Sequence, residues 1–114
     1  MVDVSEQVWT GLDFVRVTYE LAERWAAKKA SEGKRPMDWY LEFREAAKSS
    51  NRVEAMLAVI GRTVSEVGAP PQGLKEVEKF LRWLERSRGP RAIEDLIYSL
   101  PYLCSYYQAA EGGG

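Results

Sequence analysis

Lys75, Lys79, Arg82 and Arg86 stand at i, i+4, i+7 and i+11. At about 100° per residue, this spacing gathers four cations within roughly 60° of one helix face. Such a row can follow a phosphate backbone, each contact releasing a counterion, while reading no base sequence. Arg88 and Arg91 extend it into the next turn, and the acids of the segment, Glu76, Glu78 and Glu85, fall to its flanks. An ordinary solvated face would also carry Lys and Arg, so both readings stay open. A secondary basic patch, Lys28, Lys29, Lys34 and Arg35, meets only Glu32 within residues 24–35. Residues 1–23 hold five acids and one base, so a formal net charge of −1 conceals strong segregation.

A second pattern lies near the C-terminus. Ile93, Leu96, Ile97, Leu100, Leu103, Cys104 and Tyr107 share one helical side. Tyr98 and Tyr102 fall opposite, with Tyr106 at the margin. Exposed tyrosines suit a protein interface, where a rigid amphipathic ring supplies area at low entropic cost. They also suit a stacking platform for single-stranded bases. A bundle helix covered on both sides is the plain alternative, because Pro101 disturbs the angular arithmetic.

Other chemistry is excluded by composition. The chain has no histidine and one cysteine. A Ser-His-Asp or Cys-His site is impossible, as are a His-containing zinc site and an intrachain disulfide. Cys104 sits in an apolar helical pattern and reads as a buried, inert thiol. Glu20-x-x-Glu23, eighteen residues, then Glu42-x-x-Glu45 resembles the paired acidic motifs of all-α nucleoside-triphosphate pyrophosphohydrolases. In that family two helices present carboxylates to Mg²⁺, a cation that takes oxygen ligands. The family has Asp where this chain has Glu45, and Glu20 and Glu23 fall on the most polar face of their helix.

The elements that carry these residues are helical throughout. Period 3.6 recurs and no segment alternates with period 2. Five helices are expected, at about residues 4–30, 36–48, 52–67, 74–88 and 91–110. In the first, Val8, Leu12, Val15, Tyr19, Ala22 and Ala26 form an apolar stripe, widened by Phe14, Val17, Leu21 and Trp25. Asp3 with Glu6, and Asn51 with Glu54, have capping-box spacing. Pro36 suits a helix start, and Trp39, Phe43 and Ala47, with Met37, Tyr40 and Leu41 beside them, face the core. Val53, Met56, Leu57, Ile60 and Val64 point inward from the third helix. Its small residues Ala58, Gly61 and Ser65 either admit a neighbouring helix or face water. Residues 68–73 make the clearest break, and Pro101 should kink or split the last helix. The fold class is all-α, a compact antiparallel bundle forming one domain over residues 1–111, with a disordered glycine tail at 112–114. The longest apolar run, Ala55 to Ile60, is too short to cross a membrane. No signal peptide is visible, so a cytoplasmic protein is expected. Scarce amides and abundant charge suggest a thermophilic source.

The last forty residues carry a family resemblance. Gly73 to Glu85 reads GLKEVEKFLRWLE, and Leu100 to Gly113 reads LPYLCSYYQAAEGG. Together they resemble the C-terminal part of the small α-helical subunits of CRISPR effector complexes, chiefly of type III. The resemblance implies a non-catalytic, cofactor-free chain that works in antiviral defence inside a ribonucleoprotein. It would contact single-stranded nucleic acid, RNA or DNA, through basic residues and stack against other protein subunits or copies of itself. Two other readings are a protein–protein scaffold without nucleic acid and the Mg²⁺-dependent pyrophosphohydrolase.

Overall fold

The structure, a computed structural model, describes the backbone of residues 4–68 and 71–112 and the side chains of 11–68 and 71–110. The Asp3 cap, the inward Val8, Ala69 and Pro70 of the connector, and Gly113 and Gly114 of the tail lie outside what is described.

Among the described residues, five α-helices follow one another: α1 (Val4–Lys28), α2 (Pro36–Ala47), α3 (Arg52–Val67), α4 (Leu74–Arg88) and α5 (Pro90–Gly112). Among the described residues there is no strand. The turns follow local chemistry. A short 3₁₀ turn, Ala30–Glu32, ends on Gly33 at φ 76°, a left-handed conformation that glycine adopts freely. Pro36 occupies the first turn of α2, and the Asp38 carboxylate accepts the Arg35 backbone N–H at 2.8 Å. Asn51 precedes α3, but its side chain makes no capping bond. Glu54 reaches Arg82 of α4 instead. Gly73 opens α4 at φ 97°, and a Cβ there would stand 2.9 Å from a guanidinium nitrogen of Arg16.

Pro101 does not split α5, which runs unbroken through it and on to Gly112. Proline removes only the backbone bond to the Ile97 carbonyl. Ile97, Leu100 and Cys104, all buried around it, pin the helix on both sides. Gly112 therefore belongs to the helix rather than to a disordered tail.

α1 packs against each of the other four helices. Around it α2 lies beside α3, α3 beside α4, α4 beside α5, and α5 back beside α2. α3 and α4 meet over the shortest stretch. This crowding explains which side of α1 is deepest. Phe14, Val17 and Leu21 are fully buried, whereas Leu12 is exposed and Val15 and Tyr19 are half-buried. Residues expected to widen the stripe are its centre. The polar edge of α1 surfaces between the connector before α4 and the end of α5. There Arg16 donates to the Gln72 carbonyl at 2.8 Å, and Tyr19 packs on Tyr107 with ring centres 5.4 Å apart.

An aromatic file crosses the core. Phe14 of α1 lies 5.7 Å from Phe80 of α4 and 6.2 Å from Phe43 of α2, ring centre to ring centre. Phe43 stacks on Trp39 at 4.8 Å. The Trp39 indole N–H donates to Thr63 Oγ1 of α3 at 2.9 Å, and that hydroxyl donates to the Val59 carbonyl at 2.8 Å. Replacing Thr63 with Val leaves a buried indole N–H without an acceptor, which costs about 1–3 kcal/mol. Urea unfolding should show that loss for Thr63→Val with an unchanged m value, and Thr63→Ser should retain most of the stability.

Candidate interaction surfaces

α4 is strongly two-sided. Val77, Phe80 and Leu81 are buried, while Lys75, Lys79, Arg82 and Arg86 are all exposed on the opposite side. Arg88 and Arg91 are exposed at the following turn. The row is electrically interrupted, however. Arg82 pairs with Glu54 of α3 at 3.2 Å and with Glu78 of its own helix at 3.9 Å. The Glu54 backbone N–H and Arg82 together hold the Glu54 carboxyl below the usual carboxylate range. Lys75, Lys79, Arg86, Arg88 and Arg91 form no ion pair among the described residues.

The secondary basic patch is half spent on the fold. Lys28 donates to the Glu66 backbone carbonyl. Lys29 pairs with the Glu66 carboxylate at 3.2 Å and lies 5.3 Å from the centre of the Trp25 ring. Lys34 and Arg35 remain exposed. These contacts tie the end of α1 to the end of α3, so Lys28 and Lys29 serve as fasteners.

Where α3 meets α4 only briefly, an open groove of about 320 Å³ runs over Leu57, Ile60, Val64, Leu74 and Val77. Gly61 lines it, and beyond its chain neighbours and its own helix backbone no atom lies within 4 Å of where its Cβ would be. Ala58 and Ser65 are also exposed. The small residues of α3 thus face the surface, and no neighbouring helix closes on them.

The tyrosine side of α5 is open. Tyr98 is 54% exposed, Tyr102 72% and Tyr106 76%. Met37 and Leu41, each 44% exposed, lie on α2, which packs against α5. α2 and α5 run antiparallel here, since Arg44 meets Tyr98 while Tyr40, one turn earlier, meets Cys104. Met37 and Leu41 are therefore surface residues and not core. Their spacing carries that signal: Met37, Leu41, Arg44 and Lys48 fall within roughly 60° of arc, well off the stripe of Trp39, Tyr40, Phe43 and Ala47. The Arg44 guanidinium carbon lies 4.6 Å from the Tyr98 ring centre.

The four glutamates are not gathered. Glu20 is held by Arg16 at 3.5 Å and Arg24 at 3.7 Å. Glu42 pairs with Arg62, and Glu45 with Lys48 at 3.3 Å. Among the described residues, no group of three or more acidic or Cys side chains could hold a metal ion. Nor is any helix among them long and apolar enough to cross a membrane.

Cys104 is 3% exposed. Its sulfur lies 3.9 Å from Thr18 Oγ1 and from the Val15 carbonyl, and Tyr40 is its neighbour from α2. Burial pushes the Cys104 thiol up. Burial first, then the neighbouring Cys104, raises the Tyr40 phenol too. The chain matches no family model, no curated protein and no solved structure.

The two buried acids make stability depend on alkali. Once pH passes the ordinary thiol value of ~8.5 and phenol value of ~10, the unfolded chain loses protons that the folded chain keeps. Stability must then fall as pH rises. Unfolding curves between pH 8 and 11 should show that decline, and Tyr40→Phe should flatten its upper part.

Proposed function

We propose that this chain is a small, non-catalytic helical subunit that contacts a nucleic-acid backbone and a neighbouring protein through different surfaces. The observation that carries the reading is the outer side of α4 and the turn after it. Five cations there are exposed and unpaired among the described residues: Lys75, Lys79, Arg86, Arg88 and Arg91. A phosphodiester strand is the partner that such a row suits, because each phosphate neutralised releases counterions whatever the base. The net charge of −1 keeps that attraction weak for the isolated chain, so tight binding would come with assembly. The second surface is the Tyr98, Tyr102, Tyr106, Met37 and Leu41 face, an aromatic and apolar patch of the kind found at protein interfaces. The likeness of the last forty residues to small subunits of CRISPR effector complexes supports placing both surfaces in a ribonucleoprotein. A helical scaffold without nucleic acid is the second reading, favoured by the tyrosine face alone.

Titration with a fluorescent single-stranded RNA at two salt concentrations separates the two readings. The first expects weak, strongly salt-dependent binding. Replacing Lys75, Lys79 and Arg86 together with Ala should lower the log–log salt slope by about 2. Arg82→Ala should do less, since Glu54 and Glu78 already neutralise Arg82. Binding that ignores both salt and the triple substitution would leave the scaffold reading.

A further inference from the structure

A cavity of about 190 Å³ opens between the end of α2 and the middle of α5, lined by Arg44, Ala47, Lys48, Glu94, Ile97 and Tyr98. Its charges are unequal. Glu94 is already neutralised, because Arg52 binds its carboxylate at 3.0 Å and also donates to the Pro90 carbonyl at 3.0 Å. Arg44 has no such partner. Among the described residues, no carboxylate pairs with it and no acceptor takes any of its five donors. Its Nε is shut off from solvent without a hydrogen bond, and its one defined contact is the Tyr98 ring. Lys48 adds a second cation, held only by an exposed pairing with Glu45. Of the charged residues that line the cavity, Glu94 and Lys48 are paired and Arg44 is not, among the described residues.

We infer that this cavity takes the carboxylate of an aspartate or glutamate side chain presented by a partner protein. A guanidinium fork binds a planar carboxylate through two parallel hydrogen bonds. Ala47 and Ile97 supply an apolar floor for the methylene groups that carry it. The singly charged carboxylate is repelled less by Glu94 than a terminal phosphate would be. The surroundings favour a protein over a nucleic acid. Tyr98 belongs to both the cavity and the exposed face, and Met37 and Leu41 are exposed on α2, which packs against α5. A partner helix with one acidic residue among apolar ones would fill both. This inference rests on the reading of the α2–α5 face as a protein interface.

The test uses the isotope-labelled full chain and three probes: glutamate capped as an acetyl methylamide, glutamine capped in the same way, and dimethyl phosphate. Capped glutamate should shift the Arg44 Nε–H and the Ile97 and Tyr98 amides saturably, and capped glutamine should not. Arg44→Gln should weaken that binding about tenfold, the loss expected for a charge-assisted hydrogen bond. Arg44→Lys, which keeps the charge without the fork, should also weaken it, and its amide spectrum checks the fold. Tyr102→Ala with Tyr106→Ala should leave it unchanged, since both residues lie outside the cavity. No saturable shift, an equal response to capped glutamine, or tighter binding of dimethyl phosphate would overturn the proposal. These readouts report on the cavity alone. Failure here would leave the interface reading standing if the double tyrosine variant still lost association with other protein subunits.

Discussion

The contact on which the rest of the molecule depends is Phe14 between Phe80 and Phe43. It joins α4, α1 and α2 through ring centres 5.7 and 6.2 Å apart. All three side chains are 9% exposed or less. Buried aromatic rings bring large apolar areas to the core and prefer offset or tilted neighbours, so the file fixes both how close the helices come and how they are rotated. Trp39 extends it to α3 through the hydrogen bond to Thr63. α1 becomes the element that all the others share. A chain of 114 residues has little core to spare, and this one places all three of its phenylalanines in a single file.

Fixing the rotations decides what is left outside. α4 must present Val77, Phe80 and Leu81 inward, and the charged residues at its other spacing are then forced out together. α5 must bury Ile93, Ile97, Leu100 and Cys104, which turns Tyr98, Tyr102 and Tyr106 to the surface. α2 rotates to place Trp39 and Phe43 inward, which carries Met37, Leu41 and Arg44 to the flank facing α5. The electrostatics then divide the cations by task. Lys28, Lys29 and Arg52 bind α1 to α3 and α3 to α5. Arg82 locks α3 to α4. Lys75, Lys79, Arg86, Arg88 and Arg91 stay available.

The helical class and the places of the helices could be read from period 3.6, from Pro36 and from the Gly-rich breaks, because these signals act within a few residues. The outward turn of Tyr98 and Tyr102 was legible for the same reason. Three things were not. Leu12 and Phe14 are equally apolar in sequence, and only the number of helices packed around α1 decides which is deeper. The pairing of Arg82 with Glu54 spans 28 positions, and the missing partner of Arg44 is likewise set by tertiary contacts. Pro101 does not split α5, because packing on both sides of it outweighs one lost backbone bond.

We propose that nucleic acid and protein are met by different faces. Mapping amide shifts of the labelled chain during titration with a single-stranded oligonucleotide tests it most directly. Shifts confined to residues 75–91, with 98–106 and 37–41 unmoved, are what the division of faces predicts. Shifts centred on Tyr98, Tyr102 and Tyr106, with α4 silent, would contradict it and make the tyrosines the stacking platform for the bases.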